Sequence, residues 1–416
     1  MGERGGCGRL WECRLASGLE QVVVKVLMLV ITSVATDTRV VREAATLAGA
    51  GYEVHVIGRG VPLDWVAPVG VTVSSVGGAS VFQKAGAPVG GGRVLPVHLR
   101  AARWALLPQH RASAFAAWAR AARGDAGDRA FDVVHAHDFN TLELGAELAR
   151  ERGVPLVYDT HELWSGRPRV GRPTPVRSVR EARAEAELGR RAAAVLTVGQ
   201  GIAEALRRRY GWPHVTVVHN SFPRGTAAED VPLPTSPVGA VYAGRVAPYR
   251  EIEAIVAAAR QLPGLEISLV GPSDDTYVAA LDRGPARLRE ALPVDEVDAL
   301  LRRAGLALVT HSDRWENHRL AMPNKLFHAV RAGVPVVATD VRELARVVRE
   351  HGLGTLYRPG DPESLAAAVR EAIARYPELT DNVRAAEPLL SWEHDAEVLL
   401  GVYATLAEKP ADPSAP

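Results

Sequence analysis

The chain has 416 residues, 47% of them apolar and 23% charged, with 49 basic against 48 acidic side chains and a net charge of +1. That length accommodates two globular domains, and the near-neutral balance argues against a nucleic-acid binder that works through overall charge. Both cysteines, Cys7 and Cys13, lie near the start. They make neither a disulfide framework nor a zinc site, and a reducing cytoplasm is the expected compartment.

No apolar run reaches the ~18–20 residues of a membrane span. Residues 1–22, charged throughout, read as a disordered leader, and 409–416 ("KPADPSAP") as a disordered tail. The first periodic unit is "VVVKVLMLVITS" (22–33), a buried-type strand, followed by a helix closing at Gly51 and a second strand at 53–57. The turn between them, "ITSVATDTR", contains no glycine, which weakens a nicotinamide-dinucleotide domain needing G-x-G-x-x-G there. Residues 58–97 are Gly- and Val-rich strands and loops. Residues 98–124 read as a helical segment carrying Arg100, Arg103, Arg111, Arg120, Arg123, Trp104 and Trp118. Such a surface could meet anionic headgroups, but in an Arg- and Ala-rich chain a solvated helix is the favoured reading. Strand-and-turn units at 131–138, 154–164, 193–201 and 214–222 complete a doubly wound first domain, residues 23–222.

Residues 223–237, "PRGTAAEDVPLPTSP", lack periodicity and read as a linker. The second domain, 238–390, repeats the alternation. Its expected strands are 239–246, 265–272, 306–312 and 334–340, and its helices 251–262, 295–304, 341–352 and 361–376. A further helix opens at "MPNKLFHAV", and a last one covers about 392–407 in the terminal segment 391–408. In parallel sheets of this kind ligands bind beyond the carboxyl ends of the strands, so candidate residues are sought at the cleft between the domains.

Four stretches end there. In "YAGRVAPYREIE", Arg245 and Arg250 sit at a strand end and a helix start, where forked donors and the helix dipole favour a diphosphate; a surface arginine pair is the alternative. In "MPNKLFHAV", Pro323 suits the first helical position, and Asn324, Lys325, His328 and Arg331 form one polar stripe. Asn324 and Lys325 would add donors to the same anion. In "VYDTHELW", His161 and Glu162 follow a buried strand of the other domain and would face the cleft from across it, unless merely solvated. In "HAHDFN", His135, His137, Asp138 and Asn140 lack a third ligand of clear metal spacing and read as strand-terminal turn residues.

Taken in this order, "DTRVVREAATLAGAGYEVHVI", "FDVVHAHDFNTL", "VYDTHELW", "AVLTVGQGIAEAL", "YAGRVAPYR", "LVGP", "MPNKLFHAVRAGVPVVATD" and "GLGTLYRPGDPESLAAAV" resemble the retaining glycosyltransferases of the group-1 class, family 4. The resemblance spans most of residues 25–407. It implies an α/β GT-B fold: two doubly wound parallel-sheet, Rossmann-like domains facing a cleft, with the C-terminal helix crossing back to the first. It also implies a nucleotide-diphosphate sugar as donor, held mainly by the second domain, and a small-molecule, glycan or lipid acceptor on the first. No metal, cofactor or nucleic acid is implied. Arg245 and Arg250 would grip the diphosphate and His161 would reach the donor sugar. Asp138, Glu162, Gly244, Gly271, Pro323, Asn324, Lys325 and His328 fall on the substrate side.

One departure stands out. The family places a glutamate for the nucleotide ribose where this chain has His328, and an earlier glutamate where it has Leu320. An imidazole cannot accept two hydroxyl hydrogen bonds as a carboxylate does. Three readings stay open: a deoxyribose donor such as a dTDP-sugar, a single contact from His328 to a UDP- or GDP-sugar, or a non-catalytic sugar-nucleotide-binding or scaffold protein. A sugar-nucleotide epimerase would be expected to carry cleft carboxylates in a pattern not found here.

Overall fold

The computed structural model describes residues 23–62, 64–77, 115–167, 175–225 and 228–408. The expected leader, the tail and the basic segment up to residue 114, Trp104 included, lie outside them. Seven parallel strands form the first sheet, in the order β3-β2-β1-β4-β5-β6-β7. They are β1 (Lys25–Leu29), β2 (Glu53–Gly58), β3 (Val71–Ser75), β4 (Val133–His137), β5 (Leu156–Thr160), β6 (Ala194–Thr197) and β7 (Val215–Val217). Between them run α1 (Thr38–Gly49), α2 (115–127), α3 (Phe139–Arg152), α4 (Pro175–Arg191) and α5 (Gln200–Tyr210). The strands are apolar runs because both faces are covered. Val26 and Met28 of β1 enter one layer, Leu27 and Leu29 the other. Trp118 of α2 is buried in the latter layer, and Arg123 pairs with Glu147 and Glu151 of α3. This end of the basic segment packs one face into the domain and leaves the other, Arg120 included, exposed.

The second sheet has six parallel strands in the order β10-β9-β8-β11-β12-β13. These are β8 (Gly239–Ala243), β9 (Glu266–Val270), β10 (Arg287–Arg289), β11 (Gly305–Val309), β12 (Val336–Thr339) and β13 (Gly354–Tyr357). Its helices are α6 (Ile252–Ala259), α7 (Asp275–Ala280), α8 (Val294–Ala304), α9 (Glu316–Leu320), α10 (Asn324–Arg331), α11 (Arg342–His351), α12 (Pro362–Ala374) and α13 (Tyr376–Ala386). The short edge strands β10 and β13, and α7, α9 and α13, are not anticipated by the sequence pattern. Pro323 caps α10 from outside, with φ −75° and ψ 136°, rather than occupying its first turn.

The final helix, α14 (Trp392–Glu408), returns to the first domain. Its Trp392, Leu399, Tyr403 and Leu406 share a buried layer with Val40, Ala44 and Leu47 of α1. Each such side chain contributes about 1.5–3 kcal/mol on burial, enough to hold a helix at the end of its chain. The outgoing chain at Phe222 and the returning chain at Ser391 pair as a parallel bridge, and the Trp392 N–H donates to the Phe222 carbonyl at 2.8 Å. Among the described residues, no helix is long and apolar enough to cross a membrane.

Candidate active site

On the second domain the site begins where β8 ends. Gly271, at φ +140°, follows β9 so closely that a Cβ there would lie 2.3 Å from the Gly244 carbonyl oxygen; only glycine lets the two strand ends meet. Lys325, in the first turn of α10, reaches back over Gly244, with Nζ 5.1 Å from the centre of the Tyr242 ring. Arg250 sits between Tyr249 and Glu251, both at φ 64°. Such backbone costs of order 1–3 kcal/mol per residue and persists only where the surroundings hold it. Here the buried Thr310 hydroxyl donates to the Arg250 carbonyl at 2.8 Å, and Glu251 accepts the Gly360 N–H.

A wall of rings closes this pocket: Tyr249 to Trp315 at 5.2 Å, Trp315 to His318 at 4.9 Å, and His318 to His311 at 4.6 Å between centroids. Burial, then Arg250, brings Lys325 down to about 8. Burial, then Arg250 and Lys325, brings His318 down to about 4, and burial with Lys325, His318 and Arg250 holds His311 well below the usual imidazole range. No carboxylate contributes to these shifts. Among the described residues, Arg245, Arg250 and Lys325 form no ion pair, although most of the fold's arginines do. The pocket gathers cations and lacks the anion that would balance them.

The first domain answers with His161, one residue beyond β5. Its Nε2 lies 3.2 Å from Asp159 Oδ2 and its Nδ1 3.7 Å from Asp138 Oδ2. Burial opposes a charge on His161, but Asp138 and Asp159 together lift it to about 10. Asp138 is a third non-glycine residue at positive φ, 63°, so among the described residues all three such positions flank Arg250 or His161. Beneath the ring, Arg39 donates to both oxygens of Asp159, at 2.7 and 2.9 Å. Against the pull of burial, Arg39 and His161 keep Asp159 well below the usual carboxylate range. Burial pushes Glu43 up to about 8, against the influence of Arg39.

The sequence reading of His135 and His137 as turn residues is corrected here. Both lie within β4, fully buried, because β5 pairs on one side and β1 on the other. With Glu43 and Asp159 they offer ligand atoms within 4.8 Å of one another. Arg39, however, already stands 2.7 Å from Asp159 and 3.0 Å from Glu43, so the place of a cation is taken and the set does not fit a divalent metal.

The two walls meet at α9. Asn317 Oδ1 accepts the Leu163 N–H at 2.8 Å, and its Nδ2 donates to Glu162 at 3.2 Å, while the next residue is His318 of the cationic pocket. Glu162 also pairs with Arg167 at 3.0 Å. It thus belongs to the seam between the domains. His328, one turn beyond Lys325, lies 3.3 Å from Asp298 of α8 through Nδ1 and packs on Phe222 at 4.1 Å. Asn324 is exposed at the start of α10. His311, His318, Asn317, Asp159, Arg39 and Glu43 are the participants that motif reading missed. The D-x-H spacing of Asp159 and His161, on a strand end, was the available signal for one of them.

Two doubly wound parallel sheets facing one cleft, closed by a returning helix, define the GT-B class of glycosyltransferases. Residues 37–223 match the family described as Glycosyltransferase Family 4, and 238–375 match Glycosyl transferases group 1. The chain belongs to this group-1, family-4 class and is a glycosyltransferase. It is 29% identical over 312 residues to a D-inositol 3-phosphate glycosyltransferase of Geodermatophilus obscurus, covering 68% of each chain. It is 25% identical to a Mycobacterium tuberculosis glycogen synthase, covering 64% of this chain and 65% of that one. Among solved structures, a sucrose-phosphate synthase from Thermosynechococcus elongatus superposes with a TM-score of 0.70 at 17% identity, covering 92% and 99% of the two chains. Anabaena HepE in complex with UDP-glucose gives 0.62 at 16%, covering 92% and 100%. At these identities the structures speak to the fold.

Proposed function

We propose that the protein transfers a sugar from a nucleotide-diphosphate donor to an acceptor hydroxyl, with retention at the anomeric carbon and without a metal. The observation that carries this reading is the pair Arg250 and Lys325, close enough at two helix starts for Arg250 to disfavour the charge on Lys325, with no ion pair to either among the described residues; Arg245 follows the neighbouring strand end. As the bond from the anomeric carbon to the diphosphate oxygen breaks, negative charge grows on the leaving group. Fixed guanidinium, ammonium and helix N–H groups stabilise it there, which is the part a metal would otherwise take. The acceptor oxygen bonds to the same face of that carbon, and its proton passes to a phosphate oxygen of the departing group. His161 meets the sugar from the first domain. Anabaena HepE, a fold neighbour, was solved with UDP-glucose, which agrees with a donor of this chemistry.

A thermal-shift panel of UDP, GDP, ADP and dTDP, with EDTA or with magnesium, tests the reading. One nucleotide diphosphate is expected to raise the melting temperature equally under both conditions, since a ligand bound only by the folded state stabilises it. Stabilisation that requires magnesium would overturn metal independence. Nucleotide binding with no donor turnover, even by slow hydrolysis, would point instead to the non-catalytic reading.

A further inference from the structure

We propose that Asp159 is a positioning residue for His161: gripped by Arg39, it holds the imidazole through Nε2 and leaves Nδ1 as a hydrogen-bond donor toward the cleft. The use of that donor rests on the transferase reading above; the geometry that creates it does not.

Asp159 closes β5 and is fully buried. Arg39 fixes it with two hydrogen bonds, and is itself anchored by Nη1 to the carbonyls of Val218 at 2.8 Å and His219 at 3.2 Å. Asp159 therefore cannot swing toward its ligands; they must come to it. Oδ2 has His161 Nε2 at 3.2 Å and His137 Nδ1 at 3.3 Å, and those two ring nitrogens also stand within hydrogen-bond distance of each other, at 3.3 Å. His137 stands edge-on to His161, with centroids 5.4 Å apart at 67°, so the ring is held in plane as well as by its nitrogen.

The opposite nitrogen is different. Asp138 Oδ2, at 3.7 Å from Nδ1, is beyond hydrogen-bond range, and Asp138 Oδ1 instead takes the backbone N–H of His161 at 3.4 Å. Asp138 is near enough to favour positive charge but too far to use the proton. A neutral imidazole donating from Nε2 to Asp159 would present a bare, accepting Nδ1; an imidazolium donates from both. The groups facing the ring decide between them. Asp159 and Asp138 are the carboxylates nearest the ring and Arg39 the nearest fixed cation; burial pushes Glu43 up and His137 down, so both lean toward their neutral forms. Two carboxylates against one guanidinium favour the doubly protonated ring, in line with its elevated titration. The His161 side chain is 19% exposed and Nδ1 has no hydrogen-bond partner among the described residues, which leaves that donor for an oxygen in the cleft, whether a sugar hydroxyl or a phosphate oxygen.

Histidine side-chain NMR on the full chain without ligand, assigned with His161→Asn, tests this directly. Both ring nitrogens of His161 are expected to stay protonated from pH 6 to 8. In Asp159→Asn the midpoint is expected to fall by at least about one pH unit, a tenfold change in proton affinity. A wild-type ring that titrates near the ordinary 6.5, or a midpoint unmoved in the variant, overturns the proposal. Should Asp159→Asn fail to fold, the wild-type titration alone decides. With the donor found by the nucleotide panel, Asp159→Asn is expected to lower kcat increasingly as pH rises past the variant's own His161 midpoint, by about five- to tenfold one pH unit above it, with little loss at pH 6. Donor KM should stay within about twofold. An equal loss at every pH would mark a merely structural residue and overturn the assignment. The NMR titration needs no donor, so its result is separable from failure of the transferase reading.

Discussion

On the first domain, positive charge at the cleft is surrounded by its counter-charges: His161 has Asp159 at 3.2 Å and Asp138 at 3.7 Å, with Arg39 locked beneath. On the second, Arg250 and Lys325 depress each other's neighbours, and no carboxylate relieves them. The first arrangement is complete in the free protein and fixes a direction. The second has no internal counter-charge, and on the proposed function a diphosphate would complete it. A wall that orients can be assembled from internal pairs; a wall that binds must leave its charge unspent.

The comparison breaks most sharply at Arg39. Arg39→Ala leaves Asp159 charged and buried without its fork, and the expected loss is about 3–5 kcal/mol of stability by urea unfolding, with nucleotide affinity of the folded protein little changed. The opposite pattern is expected of Arg245→Ala with Arg250→Ala. Stability should change little, because neither forms an ion pair among the described residues. Nucleotide-diphosphate affinity by calorimetry should fall by about 3–4 kcal/mol, several hundred-fold, from lost charge-assisted hydrogen bonds. Unchanged affinity in that double variant would remove the donor site from this pocket.

Two smaller effects sharpen the contrast through pH. Lys325 titrates near 8 because burial and Arg250 disfavour its charge, so it is largely charged at pH 7 and largely neutral at pH 9. Diphosphate affinity should fall up to about tenfold across that interval, and Lys325→Arg should flatten the dependence. His161 moves the other way, to about 10 from its usual value. A histidine whose folded value is raised stabilises fully below about 6.5 and loses that contribution as pH climbs toward 10. The melting-temperature gap between wild type and His161→Asn should therefore be widest near pH 6, at least about 2–4 °C, and should narrow steadily above neutrality.

Local features were legible in the sequence; features made by pairing were not. Arg245, Arg250 and Lys325 stand out as candidates because a glycine-bearing strand end and a helix start each span only a few residues. The alternation of apolar strands and helices likewise gives the two parallel sheets. Arg39 and Asp159, in contrast, are 120 positions apart and meet only because β1, β4 and β5 are neighbours in register. His135 and His137 looked like a strand end because polar residues seldom lie inside a buried strand; here Tyr403 of α14 supplies a partner for His135 at 2.9 Å. β13 escaped notice because "GTLY" is four residues long and sits between two strong helical patterns.

The bridge between Phe222 and Ser391 carries a mechanical consequence. The polypeptide passes from one lobe to the other twice, and the passages lie side by side, tied to each other. A single connector would permit swivelling in any sense; two laced strands would favour a swing about that line, like a door hinge, over twist and slide. Because His328 rests on Phe222 at 4.1 Å, the pivot also touches the helix that begins at the cationic pocket. Opening and closing would therefore move the jaws far more at their tips than at that pocket.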